Sequence, residues 1–140
     1  MHPDWSNKSI LIADDDESTH VLLREMLKPT GVGIYSAYDG SQALSLCIEH
    51  HDIQLVIMDI RMPEMSGIEA TRLIRKYQKS LPVVVYSALH QTEYKHLMKK
   101  LNCEDFLLKP VRQELIISTL SKHLDPYTGV RSYYDEFLFS

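Results

Sequence analysis

The sequence predicts an α/β protein: a doubly wound parallel sheet of five strands with helices on both faces. Three observations predict it. Five short apolar runs recur, each too short for a helix and none alternating with polar residues, which is how strands buried on both faces read. Segments with a helical apolar period lie between them. Strict strand–helix alternation then implies parallel strands joined by right-handed crossovers.

The first strand is Ile10-Leu11-Ile12-Ala13. The helix after it carries a stripe of Val21, Leu22 and Met26; Lys28-Pro29 stops it, and Gly31 and Gly33 close the region. The second strand, Ile34-Tyr35-Ser36-Ala37, is more mixed and is expected at a sheet edge. Asp39-Gly40 turns into a second helix with its stripe at Leu44, Cys47, Ile48 and His51. His50 and His51 fall near the end of that helix, where positive charge suits the dipole. No further ligands stand near them at zinc-site spacing, so they are read as structural.

Leu55-Val56-Ile57-Met58 forms the third strand, and Leu73, Ile74 and Tyr77 mark the helix behind it. Pro82 opens the fourth strand, Val83-Val84-Val85-Tyr86, where a missing N–H costs least. The fourth helix is expected on Tyr94, Leu97, Met98 and Leu101, and the fifth strand at Phe106-Leu107-Leu108. Leu115, Ile116, Thr119 and Leu120 form the stripe of the fifth helix, which Asp125-Pro126 ends.

At 140 residues this is one domain, large enough to bury its own core without staples. With 44% hydrophobic and 24% charged residues it is neither disordered nor fibrous. Fifteen basic against 19 acidic residues give a net charge of −4, which argues against nucleic acid as a partner. Cys47 and Cys103 make no metal-site spacing. No apolar run approaches the roughly 18–20 residues of a membrane span. The start, Met1-His2-Pro3-Asp4-Trp5-Ser6, lacks the pattern of a signal peptide. The expected location is the cytoplasm, with no membrane partner.

In such a sheet the functional groups gather beyond the carboxyl ends of the strands. Asp14-Asp15-Asp16 follows the first strand, Asp59 closes the third, Ser87-Ala88 follows the fourth and Lys109-Pro110 the fifth. No glycine-rich phosphate loop follows the first strand, which argues against a dinucleotide site. Clustered carboxylates need a cation, and a small open set of hard oxygen ligands suits Mg2+. A lysine and a hydroxyl opposite the metal would hold the remaining oxygens of a phosphoryl group. A carboxylate among them can act as nucleophile and form an acyl phosphate. Each piece alone has an ordinary structural reading: Asp16 as a helix cap, Ser87 likewise, Lys-Pro as a turn. Their convergence at the ends of separate parallel strands is what carries the argument.

Over about residues 8–124 the sequence resembles the response-regulator receiver domain. Ile-Leu-Ile-Ala-Asp14-Asp15 resembles the family's metal-binding start, and Met58-Asp59-Ile60-Arg61-Met62-Pro63-Glu64-Met65-Ser66-Gly67 its phosphoacceptor segment. Val85-Tyr86-Ser87-Ala88 resembles the hydroxyl position, and Asp105-Phe106-Leu107-Leu108-Lys109-Pro110 the lysine segment. The resemblance implies a flavodoxin-like strand order, 2-1-3-4-5. It implies Asp59 as the phosphoacceptor for a histidine kinase or histidine phosphotransfer protein. Asp14, Asp15, Asp59 and the backbone carbonyl of Arg61 would hold Mg2+, or Mn2+ in its place. Lys109 would contact Asp59 and then a phosphoryl oxygen. Ser87 and Phe106 would move inward as the switch, and a cis peptide bond would fall at Lys109-Pro110. The segment from Met62 to Arg75 looks most like receivers attached to hybrid kinases and phosphorelays. Ser87 stands where threonine is also common, Phe106 where some members have tyrosine, and Asn102-Cys103 where many have Gly-Ala.

The implied function is a phosphorylation-controlled switch, not a turnover enzyme. Its surface of fourth helix, fifth strand and fifth helix, around residues 90–124, would signal in trans to a downstream protein or a second copy. Residues 1–7 read as an N-terminal extension. Residues 125–140 read as an aromatic-rich tail or the start of a further segment, with Tyr133, Tyr134, Phe137 and Leu138 on one helical face. Arg61 and Leu89 either crowd out an attacking water and slow phosphate loss, or Arg61 simply points to solvent. Two rivals stand beside this reading. Asp14-Asp15-Asp16-Glu17-Ser18 matches the D-x-D-x-S of haloacid-dehalogenase-like phosphohydrolases using Asp14, but their later acidic motif is absent and Asp59 would be idle. A phosphorylation-independent interaction module would have no reason to keep all of Asp14, Asp15, Asp59, Ser87 and Lys109.

Overall fold

A computed structural model describes residues 2–88, 95–96, 99–100 and 103–125. Its five strands are β1 (Ser9–Ala13), β2 (Gly33–Ala37), β3 (Ile53–Met58), β4 (Val83–Ser87) and β5 (Asp105–Leu108). They form one parallel sheet in the order β2-β1-β3-β4-β5. The mixed second strand lies at an edge, as expected. Helices α1 (Glu17–Leu27), α2 (Gly40–Glu49), α3 (Gly67–Tyr77) and a C-terminal helix (Gln113–Leu124) cover the faces. Lys95, His96, Lys99 and Lys100 are helical and exposed. The other expectations for that region, Tyr94, Leu97, Met98 and Leu101, lie outside the described residues, as do Leu89, His90 and everything after Asp125.

Strand periodicity divides the core in two, because successive side chains point to opposite faces. Ile10, Ile12, Leu55, Ile57, Val84 and Tyr86 pack with Leu23 and Leu27 of α1 and with Ile116, Ile117, Leu120 and Leu124 of the C-terminal helix. Leu11, Ala13, Val56, Met58 and Val83 face the other way, against Ala43 and Cys47 of α2 and Ala70 and Ile74 of α3. Both faces of the central strands are therefore dry, which is why their sequences do not alternate.

The helix starts follow the capping rules. The side chain of Asp16 accepts from the Ser18 amide, Asp39 from Gln42 at 2.7 Å, and Ser66 from Glu69 at 3.3 Å. After α1 a short 3-10 turn (Lys28–Thr30) carries Pro29, and Gly31 closes it at φ 74°, a conformation that glycine adopts without steric cost.

The helical stripes need correction in phase. α1 buries Thr19, His20, Leu23 and Leu27, while Val21 and Leu22 are exposed, Val21 by 52%. α2 buries Gly40, Ala43 and Cys47 and exposes Ile48; His51 is exposed too. α3 buries Gly67, Ala70, Thr71 and Ile74, leaving Tyr77 64% exposed. In the C-terminal helix Leu115 is exposed and Ile117 buried. The buried face of each helix thus mixes large apolar residues such as Leu23, Leu27, Ile74 and Ile117 with small or polar ones such as Thr19, Ala43 and Ala70, and is turned from the apolar stripe the sequence suggests.

Before β1, Trp5 is completely buried in the first core cluster. Its amide donates to the Thr30 carbonyl at 2.7 Å, and its indole Nε1 donates to Asp125 Oδ2 at 2.8 Å. The segment 2–8 is thus tied both to the turn after α1 and to the end of the C-terminal helix.

Candidate functional site

The ladder of the sheet carries its groups to one edge. Past the end of β1, the Asp14 amide donates to Ala37 O at 3.1 Å; past β3, the Asp59 amide donates to Ala13 O at 2.9 Å. On the far side, the Lys109 amide donates to Ser87 O at 2.9 Å. The same parallel pairing that builds the strands therefore sets Asp14 beside Asp59, and Ser87 beside Lys109. The Lys109–Pro110 peptide bond is cis.

Three carboxylates converge there. Asp14, Asp15 and Asp59 each offer an oxygen within 4.8 Å of the others, with Asp14 and Asp59 buried and Asp15 exposed. Lys109 Nζ lies 2.7 Å from Asp14 Oδ2 and 3.6 Å from Asp59 Oδ2, and 5.5 Å from the centre of the Tyr86 ring. Asp14 Oδ1 also accepts from the Asp16 amide at 2.9 Å. The Arg61 amide approaches Asp59 Oδ1 at 3.4 Å.

One lysine does not neutralise three carboxylates. Burial raises the pKa of Asp59 above the ordinary 3.8; Lys109 pulls it down, and the Asp14 and Asp15 charges push it up again. For Lys109, burial works to lower the pKa, but its bonds and charges with Asp14 and Asp59 outweigh it and hold the ammonium above the ordinary 10.5. The site is thus short of positive charge, and its donors are hard oxygens. That donor set fits a divalent cation of the Mg2+ class.

The loop after β3 is shaped to allow this. The Gly67 amide donates to Ile60 O at 2.8 Å, and a Cβ at Gly67 would stand 2.0 Å from the Asp59 carbonyl oxygen. Only glycine lets α3 start this close to the strand end. Glu64, in the same loop, takes φ 65°, uncommon for a residue with a side chain.

Ser87 is buried at the end of β4, and Phe106 is half-buried against Val85 of β4 and Ile60 of the loop after β3. Arg61 is exposed. One residue escaped the sequence reading: His20, fully buried on α1, with Nε2 2.8 Å from the Asp14 carbonyl oxygen. Its spacing with Leu23 and Leu27 was the available signal.

Comparison with known proteins follows the same lines. Residues 10–121 match the family model for the response regulator receiver domain. Over 117 residues the chain is 32% identical to the CAI-1 autoinducer sensor kinase/phosphatase CqsS of Vibrio cholerae, covering 81% of this chain but only 17% of that protein. It is 29% identical to the polar-differentiation response regulator DivK of Brucella ovis, covering 84% of this chain and 96% of that one. Among solved structures, the receiver domain of the sensor histidine kinase PA1611 from Pseudomonas aeruginosa superposes with a TM-score of 0.78 at 22% identity, over 84% of this chain and 98% of that one. That structure holds a magnesium ion in its active-site cleft. Among the described residues, no helix is long and apolar enough to cross a membrane.

Proposed function

The chain belongs to the response regulator receiver domain family, and from this premise we propose that Asp59 accepts a phosphoryl group from a phosphohistidine of a kinase or phosphotransfer protein. The observation that carries the reading is Lys109 held between Asp14 and Asp59, at 2.7 and 3.6 Å, where three carboxylates meet. Receiver domains are signalling domains, and this one acts as a switch rather than by turnover.

A carboxylate oxygen of Asp59 attacks phosphorus; the new P–O bond forms as the P–N bond to the donor imidazole breaks, and the imidazole leaves with a proton. Asp14, Asp15, Asp59 and the Arg61 carbonyl would hold Mg2+ or Mn2+, which would supply positive charge against the transferring group. The magnesium of the PA1611 receiver supports that assignment. Lys109 follows the charge from Asp59 to a phosphoryl oxygen. Ser87 donates its hydroxyl to another, and Phe106 moves in behind it. The covalent group makes different contacts in the two states, as a population shift requires. The surface that changes is the fifth strand, the C-terminal helix and the helix between β4 and β5, offered to a protein target or a second copy. On this reading the receiver spans 8–124, residues 1–7 are an N-terminal extension whose Trp5 packs into its core, and residues 125–140 are an aromatic-rich tail or the start of a further segment.

Acetyl phosphate with Mg2+ tests this directly. The expected result is one base-labile phosphoryl group per chain, abolished by Asp59→Asn and by EDTA. Continuous phosphate release with no label at Asp59 would overturn it.

A further inference from the structure

Among the described residues, His20 is a buried histidine beside the site that the proposed mechanism leaves unused. Its ring is fully buried on the inner face of α1. Nε2 lies 2.8 Å from the Asp14 carbonyl oxygen, and Nδ1 is buried without a hydrogen-bond partner. That pairing sets the tautomer. A proton on Nδ1 alone would be buried with no acceptor, while the Nε2 lone pair faced the lone pairs of the carbonyl. The ring therefore carries its proton on Nε2 and donates it to Asp14. It is also held in place: the Tyr38 ring lies 4.3 Å away, tilted by 34°.

We propose that His20 is a positioning residue for the cation site, fixing the Asp14–Asp15 peptide through its hydrogen bond to the Asp14 carbonyl and so aiming the Asp15 carboxylate. The Asp14 side chain needs no such help, being held by Lys109 and by the Asp16 amide. Asp15 is exposed, and its backbone sets the Cα–Cβ direction from which its carboxylate reaches the site. The carbonyl that His20 grips belongs to the peptide whose nitrogen is that of Asp15. The His20 hydrogen bond thereby couples the body of α1 to the ligand set. The inference rests on Asp15 being a ligand, as proposed above.

Direct Mn2+ binding, read by loss of the free-ion EPR signal, tests it without any phosphoryl donor. Outer-shell partners of metal ligands are commonly worth about 10–100-fold in affinity, so His20→Leu is expected to raise the Mn2+ Kd by about tenfold, with His20→Gln recovering most of it. The metal concentration for half-maximal phosphorylation should rise in parallel, while the rate at saturating metal stays near wild type. An unchanged Kd in folded His20→Leu overturns the inference, as does an equal loss in the saturated rate. If His20→Leu fails to fold, the comparison runs between His20→Met and His20→Gln, alike in length but only one a donor; equal affinities overturn the inference. A wild-type chain that binds no Mn2+ overturns the proposed function as well, whereas wild-type binding with indifferent variants overturns the role of His20 alone.

Discussion

The two ends of the sheet treat charge in opposite ways. At the amino end each carboxylate has a dedicated partner. Asp105 meets His123 at 2.7 Å and Lys122 at 3.5 Å; Glu104 accepts from Arg75 and from the Val83 amide; Asp125 takes the Trp5 indole. At the carboxyl end three carboxylates crowd around one lysine. The pKa shifts record the difference. Asp105 is pulled up by burial, but His123 and Lys122 outweigh it and hold it below 3.8. Asp59 is pushed above 3.8 by burial and by its acidic neighbours, despite Lys109. One end is built to hold the strands together, the other to want a cation. The charge imbalance lies where a ligand would relieve it.

The sharpest way to break that contrast is to weaken the amino end alone. Trp5→Ala removes a fully buried indole and its bond to Asp125, and is expected to cost about 3–5 kcal/mol in urea unfolding. The extent of phosphorylation per folded molecule should not change. Lost labelling in chains that remain folded would show that the ends are not independent.

Gly67→Ala attacks the other end with a smaller effect on stability. The added methyl meets the Asp59 carbonyl, and overpacking of this kind costs about 1–3 kcal/mol. Here labelling should fall steeply, because the backbone that must move carries the proposed phosphoacceptor, Asp59. Preserved labelling would mean that the loop yields without moving Asp59.

The smallest effect, and the most direct reading of the contrast, is in pH. Between 3.8 and its raised folded value, Asp59 binds more protons folded than unfolded, so its contribution to stability declines as pH rises through that window. Below 3.8 the sign reverses for Asp105. There the unfolded chain takes up protons first, so stability present above 3.8 is lost as pH falls toward the lower folded value. In metal-free protein, Asp59→Asn should flatten the first slope and Asp105→Asn the second. A shared slope for both variants would contradict the division of roles.

Much of this was legible in the sequence. Strand positions were, because runs such as Val83-Val84-Val85 have no polar alternation to confuse them. So was the gathering of Asp14, Asp59, Ser87 and Lys109, since parallel topology sends strand ends to one edge. Helix phase was not. A stripe such as Val21, Leu22 and Met26 has the right period, but periodicity does not say that Thr19 and His20 lie closest to the sheet. Trp5 was illegible for a different reason. A single aromatic ahead of the first strand forms no pattern, and its partners Thr30 and Asp125 are distant in sequence. The spacing of His20 with Leu23 and Leu27 marks it as buried, but its role shows only once its acceptor, the Asp14 carbonyl, is known.

Trp5 also determines how this protein can be watched. It is the chain's single tryptophan, and its indole is sealed at the amino end of a five-residue strand about 16 Å long. Tryptophan fluorescence, excited apart from the chain's eight tyrosines, therefore reports from the opposite end of the sheet to Asp59. Any change in emission on adding metal or phosphoryl donor has crossed the length of the sheet, and its size measures how far the switch is felt.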